Sequence, residues 1–375
     1  NKVEELHNEL AKKLEIELSQ LDFSTKSLDL LSKLVFDFGN EKSMMEIYDN
    51  LVVYIGEVIK KNSGRYKIEN AGINSKYSDY GPAYMGTKVI FTSARDTGNF
   101  SKRIHTWTGQ YFTNLYSSAL GEDGSLSGVD KFGKKINTKY HEDTPAFTKD
   151  GKTVYFTRNN YLDGRGFDAN KVTLLKIYRA NLDDEGKWIN ITPLNFNSDS
   201  YQAAHPTLSE DEKTLYFASD MPGTKGQSDL YRVKINEDGS LGTPENLGDA
   251  INSEGRETYP FISSDNELYF ASDGHLGLGG LDVFETRMVE NAFGIPKNIG
   301  KPINSSSDDF GYVLKNDAGF FTSNREGGLG FDDIYRFKIC YKPLIGTIVD
   351  HKNKKAIPNA KITLFDEDMN VVNEL

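Results

Sequence analysis

The residues most able to do chemistry are few, and their spacing is unhelpful to a catalyst. Six histidines, His7, His105, His141, His205, His275 and His351, include no pair at a ligand spacing such as His-x-x-x-His. His141 and His205 precede Pro145 and Pro206 at similar places in related segments, so repetition alone would set them at similar heights. Cys340 is the single cysteine; it excludes an internal disulfide and has no Cys–His arrangement around it, and no G-x-S-x-G elbow occurs. Asp220 and Asp273 stand in the runs Ser219-Asp220-Met221-Pro222-Gly223 and Ser272-Asp273-Gly274-His275, with Ser323-Asn324-Arg325-Glu326-Gly327-Gly328 as a counterpart. Carboxylates there can accept backbone N–H groups of a turn, which accounts for every copy. A calcium or ligand ring would need several converging oxygens. Gly277-Leu278-Gly279-Gly280 and Gly327-Gly328-Leu329-Gly330 lead into no helix, so they read as hairpins before a strand rather than phosphate cradles.

Two insertions offer a different chemistry, that of an interface. Arg95 to Thr113 carries Arg103, Trp107 and Tyr111, and Asn159 to Leu174 carries Tyr161, Arg165 and Phe167. Aromatic residues and arginine are the types that dominate binding hot spots. These six are the candidate partner-binding residues.

The elements that must position them repeat. An aromatic strand ending in a small polar pair recurs as Val89-Ile90-Phe91-Thr92-Ser93, Val154-Tyr155-Phe156-Thr157-Arg158, Leu215-Tyr216-Phe217-Ala218-Ser219, Leu268-Tyr269-Phe270-Ala271-Ser272 and Phe320-Phe321-Thr322-Ser323. A strand with a Pro or Gly landmark precedes each copy, at 82, 145, 206, 260 and 311, giving steps of 63, 61, 54 and 51 residues. A third strand follows each copy. A fourth, clearest in Pro244–Ser253 and Pro296–Ser305, links consecutive copies, with Glu69–Ser75 as a shorter version before the first and none after the fifth. Four strands in five repeats predict a five-bladed β-propeller over residues 66–340; six blades would require a divergent copy. The segment around Lys67–Ala71 is expected to close the ring by supplying the fifth blade's outer strand, since an open sheet edge is a liability. Both insertions join second and third strands, so they emerge on one side of the disk.

Outside the repeats, residues 1–65 read as a short helical segment, from leucines four apart at Leu6, Leu10, Leu14 and Leu18. Residues 341–375 read as the start of a β-sandwich, and the chain is expected to be a fragment of a longer precursor. Of 375 residues 12% are aromatic and 34 are Gly, as a turn-rich β protein requires. A formal net charge of −11 argues against a nucleic-acid partner or a polybasic membrane surface.

The repeats "PTLSEDEKTLYFASDMPGTKGQSDLYRV" and "PFISSDNELYFASDGHLGLGGLDVF" resemble the PD40, TolB-type WD-like propeller family. The runs "INSKYSDYGPAYMGTKVIFTSARDTG", "FTRNNYLDGRGFDANKVTLLKIYRA" and "TSNREGGLGFDDIYRF" are similar to a Bacteroidota group of OmpA-family cell-envelope proteins, the PorE-like group. "PLIGTIVDHKNKKAIPNAKITLFD" resembles the start of a carboxypeptidase-regulatory-like domain. In that group helical tetratricopeptide-type repeats precede the propeller, but residues 1–65 lack their Trp/Gly/Tyr landmarks. The resemblance implies a non-catalytic scaffold or adaptor of the periplasm, associated with the outer membrane. Its partners would be outer-membrane proteins of the PorP/SprF type in type 9 secretion or gliding machinery. Peptidoglycan would be reached only through an OmpA-like domain absent from this sequence. No cofactor or metal is expected. Two other readings stay open: a propeller that binds peptide or glycan as an enzyme or enzyme accessory, and a calcium-dependent binding module.

Overall fold

The computed structural model describes residues 65–95, 104–105, 108–160, 173–289, 292–340, 363–365 and 371–374. The chain divides into two compact units, Asn1–Cys340 and Tyr341–Leu375. The helical expectation for residues 1–65, apart from Arg65, and most of the sandwich expectation lie outside the described residues. In the second unit the antiparallel strands Thr363–Phe365 and Val371–Glu374 are described.

The first unit is a five-bladed β-propeller. Blade 1 comprises β2 (Asp79–Met85), β3 (Lys88–Ser93), β4 (Asn114–Leu120) and β5 (Leu126–Lys131). Blade 2 comprises β6 (Glu142–Phe147), β7 (Thr153–Asn159), β8 (Leu175–Leu182) and β9 (Trp188–Pro193). Blade 3 comprises β10 (Ala203–Leu208), β11 (Thr214–Ser219), β12 (Asp229–Lys234) and β13 (Glu245–Asn246). Blade 4 comprises β14 (Glu257–Ile262), β15 (Glu267–Ser272), β16 (Asp282–Val289), β17 (Ala292–Phe293) and β18 (Lys297–Asn298). Blade 5 comprises β19 (Asp309–Lys315), β20 (Ala318–Ser323) and β21 (Asp333–Ile339), with β1 (Tyr66–Asn70) as its outer strand.

Ring closure follows the sequence reading. β1 runs antiparallel to β21 from Tyr66 opposite Ile339 to Asn70 opposite Tyr335. Beyond the ladder, Cys340 N–H donates to the Arg65 carbonyl, 2.6 Å.

Each second strand is buried on both faces because blades pack against it from either side, so it reads as a continuous run rather than an alternation. One cross-strand aromatic pair recurs per blade: Phe91–Tyr116, Phe156–Tyr178, Phe217–Tyr231, Phe270–Phe284 and Phe321–Tyr335, with centroids 5.6–6.1 Å apart. Such pairs stabilise by about 0.5–1.5 kcal/mol beyond their buried area.

The fourth strand is shorter than expected in blades 3 and 4. It pairs over two residues, then turns away because Gly248 and Gly300 take φ of 84° and 75°. Their N–H groups donate to Asn246 and Asn298, as Gly72 does to Asn70. A second asparagine replaces the rest of the strand. Asn74, Asn137, Asn197, Asn252 and Asn304 each accept from, and donate to, one third-strand residue: Ile334, Leu115, Ile177, Leu230 and Val283.

Buried ion pairs connect the inner and outer parts of the blades. Asp79, Glu142 and Asp309 open the first strands of their blades with fully buried carboxylates, paired to Arg95 (2.5 Å), Arg158 (3.3 Å) and Arg325 (2.6 Å). Each guanidinium also lies over the blade's aromatic pair and donates to an isoleucine carbonyl, that of Ile73, Ile136 or Ile303. In blade 4 His275 bonds the Ile251 carbonyl, 2.7 Å, with Glu257 3.9 Å away. Blade 3 loses both charges together. Ala203 and Met221 stand in their place, Phe196 stacks on Phe217 at 4.5 Å, and the Tyr201 hydroxyl donates to the Phe196 carbonyl.

Candidate functional site

The site is framed by a backbone bulge at or just before the Pro/Gly landmark of each first strand. Gly81, Thr144, His205, Tyr259 and Gly311 all have positive φ, between 27° and 60°. The cause is a bulge in each first strand, seen as a register shift against the second. In three blades the N–H of this residue donates to a threonine of the preceding blade: Gly81 to Thr322, Thr144 to Thr92 and His205 to Thr157. For Thr144, His205 and Tyr259 this backbone costs on the order of 1–3 kcal/mol each, and it turns side chains toward the axis.

Five residues, one per blade, form a diaphragm there. Asp143 accepts from the Tyr80 hydroxyl and the Thr92 hydroxyl, both 3.2 Å, and from the Thr144 hydroxyl. The His205 Nε2 lies 3.7 Å from Asp143, and its Nδ1 meets Thr258 Oγ1 at 2.6 Å. The His205 ring stacks on Tyr259 at 3.8 Å, Tyr259 meets Phe310 at 4.7 Å, and Phe310 meets Tyr80 at 6.3 Å. Burial pushes the Asp143 carboxyl up, but His205, Thr144 and Tyr80 outweigh it and hold it below the usual range. Burial and the charges of Asp143 and Asp332 push the Tyr80 and Tyr259 hydroxyls well up, so both stay neutral donors.

A cavity lies on each side of the diaphragm, and Tyr259 lines both. One, about 480 Å³, is walled by the later halves of all five first strands and by Pro82, Pro145, Pro206 and Pro260. The other, about 470 Å³, opens among the loops joining second and third strands. Its wall includes Tyr80, Tyr111, Tyr259, Phe310, Phe331 and Asp332. Burial pushes the Asp332 carboxyl up, against the Ser78 hydroxyl, and the carboxylates of Asp308, Asp333 and Asp79 reinforce the shift. At the rim His141 is lowered to about 4 by burial and by His105, whose ring sits 4.7 Å away, so it is neutral at pH 7. Of the four exposed large apolar side chains among the described residues, Ile104, Leu329 and Phe331 are on these same loops; Ile295 is at the outer edge of blade 4.

Of the residues singled out from sequence, Tyr111 lies on this wall and packs on Tyr77 at 5.4 Å. Arg103, Trp107, Tyr161, Arg165 and Phe167 lie outside the described residues. The paired placement of His141 and His205 is not what the strands show. His141 precedes β6 at the rim, whereas His205 lies within β10 at the axis, because the bulge aligns His205 with Thr144. Asp220 and Asp273 accept from the N–H groups of Gln202 and Arg256, which precede the first strand, rather than from their own turns. The glycine-rich hairpins do cradle an anion, but it is internal. Leu278 and Gly279 donate to Asp282, and Leu329 and Gly330 to Asp333. Among the described residues no group of three or more His, Cys, Asp or Glu is placed to hold a metal ion. Of the axial residues only His205 was singled out from sequence; Tyr80, Asp143, Tyr259 and Phe310 were missed, as was Asp332.

No family model and no curated protein sequence matches the chain. Solved structures do. TolB from Acinetobacter baumannii is similar over 76% of this chain and 67% of its own, at 14% identity and a TM-score of 0.36. The putative TolB from Agrobacterium tumefaciens is similar over 69% and 76%, at 17% identity and 0.40. A thermostable family-43 glycoside hydrolase is similar over 73% and 94%, at 13% identity and 0.45. Its structural neighbours include TolB-like propellers. At these identities the neighbours carry no activity over to this chain.

Proposed function

We propose that this chain is a non-catalytic periplasmic scaffold of the OmpA-family type, associated with the outer membrane, whose propeller docks to a partner protein. The observation that carries this reading is that Ile104, Leu329 and Phe331, each more than half exposed, all lie on loops joining second and third strands, with Phe331 lining the cavity that opens among those loops. Exposed apolar side chains clustered at a polar-rimmed concavity mark a protein-binding surface. The insertions with Arg103, Trp107, Tyr161, Arg165 and Phe167 belong to the same set of loops by topology. The partner we propose is an outer-membrane protein of the PorP/SprF type from type 9 secretion or gliding machinery, with peptidoglycan held by a separate OmpA-like domain.

Co-purification from envelope membranes tests this. Leu329→Asp with Phe331→Asp should reduce recovery of such a partner at least tenfold, whereas Ile295→Asp should not. Equal recovery with both variants refutes docking on this face. A second reading, a glycan or peptide ligand on the axis, is favoured by the aromatic wall beside Asp143 and Asp332. Turnover of an aryl glycoside or a peptide by the purified protein would replace the scaffold reading.

A further inference from the structure

The cavity among the loops joining second and third strands has a chemistry more specific than an apolar patch. Its described lining residues include five Tyr or Phe rings, the His141 imidazole and the Asp332 carboxylate, but no lysine or arginine. Most of its other polar groups are already engaged. Gln110 is tied to Ser78 by both ends of its amide, Asn324 to Asp308, and Thr113 to His141. The Ser78 hydroxyl favours the Asp332 carboxylate, while burial and the charges of Asp308, Asp333 and Asp79 work against it, so an added cation beside it would be favoured. A carboxylate has acceptor room for about four hydrogen bonds. The chain neighbour of Asp332, Phe331, is 63% exposed and lines the same cavity.

We propose that this cavity receives an arginine side chain from an extended basic segment of the docked partner, with the guanidinium against the Asp332 carboxylate and over the rings of Phe331 and its neighbours. This rests on the docking reading above. Arginine is preferred to lysine because its planar fork can bond a carboxylate through two N–H groups while its faces lie on aromatic rings. The propeller uses the same combination inside itself: Arg325 lies 5.0 Å from the Phe321 centroid and 5.1 Å from that of Tyr335 while it pairs with Asp309 at 2.6 Å. A partner arginine would complete at the surface what three blades hold in their interiors.

The experiment is titration calorimetry of the whole chain with the capped peptide Gly-Gly-Arg-Gly-Gly and its citrulline counterpart, which has the same shape and no charge. The arginine peptide should bind at least tenfold more tightly than the citrulline one. Asp332→Asn should weaken the arginine peptide at least tenfold and Phe331→Ala severalfold. Glu254→Gln removes the same charge from an exposed position before the first strand of blade 4, on the same face, and should change affinity less than twofold. Equal binding of the two peptides, no binding of either, or equal effects of Asp332→Asn and Glu254→Gln overturn the proposal. Phe331→Ala, at an exposed position, keeps the test decisive if Asp332→Asn fails to fold. If Asp332→Asn still captures the membrane partner at the wild-type level while no arginine peptide binds, the receptor fails and docking stands. If capture also survives Leu329→Asp with Phe331→Asp, docking on this face fails as well.

Discussion

Blade 3 is a natural double substitution, and it predicts how the buried ion pair of blade 5 should respond to mutation. Asp309 has a side chain with no exposure, and it accepts from Arg325, from the Ser305 N–H at 2.6 Å and from the Ser305 hydroxyl at 2.7 Å. Burial outweighs these bonds and pushes its carboxyl up, the sign of a pair that is costly to desolvate. Asp309→Ala alone strands the Arg325 guanidinium, and Arg325→Met alone strands the carboxylate. Either should cost about 3–5 kcal/mol. At roughly 3 °C per kcal/mol for a domain of this size, Tm should fall by roughly 10 °C or more. The double variant Asp309→Ala/Arg325→Met installs the residues that blade 3 already has. It still takes Asp309 from the Ser305 N–H and Arg325 from the Pro302 and Ile303 carbonyls, at up to about 1–3 kcal/mol for each group left buried and unpaired. In blade 3 the corresponding carbonyl, that of Phe196, has the Tyr201 hydroxyl. The losses of those pairings are already present in the single variants, and the stranded charge of each single is gone, so the double variant should lose clearly less than the sum of the singles, a strong coupling in a double-mutant cycle. Urea denaturation of the four proteins, followed by intrinsic fluorescence and checked for equal m-values, measures it. Single losses below about 1 kcal/mol, or a double loss equal to the sum of the singles, would refute the reasoning.

Two further outcomes follow from the same geometry. A chain starting at Arg65 keeps β1 and should stay monomeric, whereas one starting at Lys76 exposes the edge of β21 and should aggregate or unfold; size-exclusion chromatography with light scattering separates them, and a well-behaved shorter chain would refute closure by β1. Asp282 and Glu142 are both pushed up to about 7 by burial, so the folded state binds more protons than the unfolded one between about 4 and 7. This contribution makes stability fall as pH rises through that window, so the urea midpoint should be higher at pH 5.5 than at 7.5; Asp282→Asn should flatten the difference, and an unchanged slope in that variant would remove Asp282 as its cause.

The ring was legible because each blade repeats the contacts that hold it. The five landmarks, the aromatic strands and the Asn-x-Gly turn of Asn70–Gly72 all recur where neighbouring blades meet the same surroundings. The shortness of β13 and β18 was not legible, because an asparagine side chain can finish what a strand begins. The axial residues were hidden for the opposite reason. Tyr80, Asp143, His205, Tyr259 and Phe310 meet one another across the axis, so each must differ from its counterparts, and a search for repetition discards them. A usable signal did exist for the buried ion pairs: Asp79 and Arg95 are sixteen residues apart, as are Asp309 and Arg325. Asp332 carried no such mark, since its role depends on which loops the fold gathers around it.

The ladder between β1 and β21 also decides how the propeller would bear a load. Its strands are antiparallel, with Tyr66 opposite Ile339 at the very end, so chain leaving before Arg65 and chain leaving after Cys340 depart from one point. Tension between those two exits would not be shared around the disk. It would act on one end of one ladder and peel its hydrogen bonds in succession, beginning at Cys340 and Arg65, passing Asn70 opposite Tyr335 and reaching the bonds of Ala71 and Asn74 to Ile334 last. The seam that completes the ring is thus also its tear line, and blades 1 to 4 would remain folded while it opens.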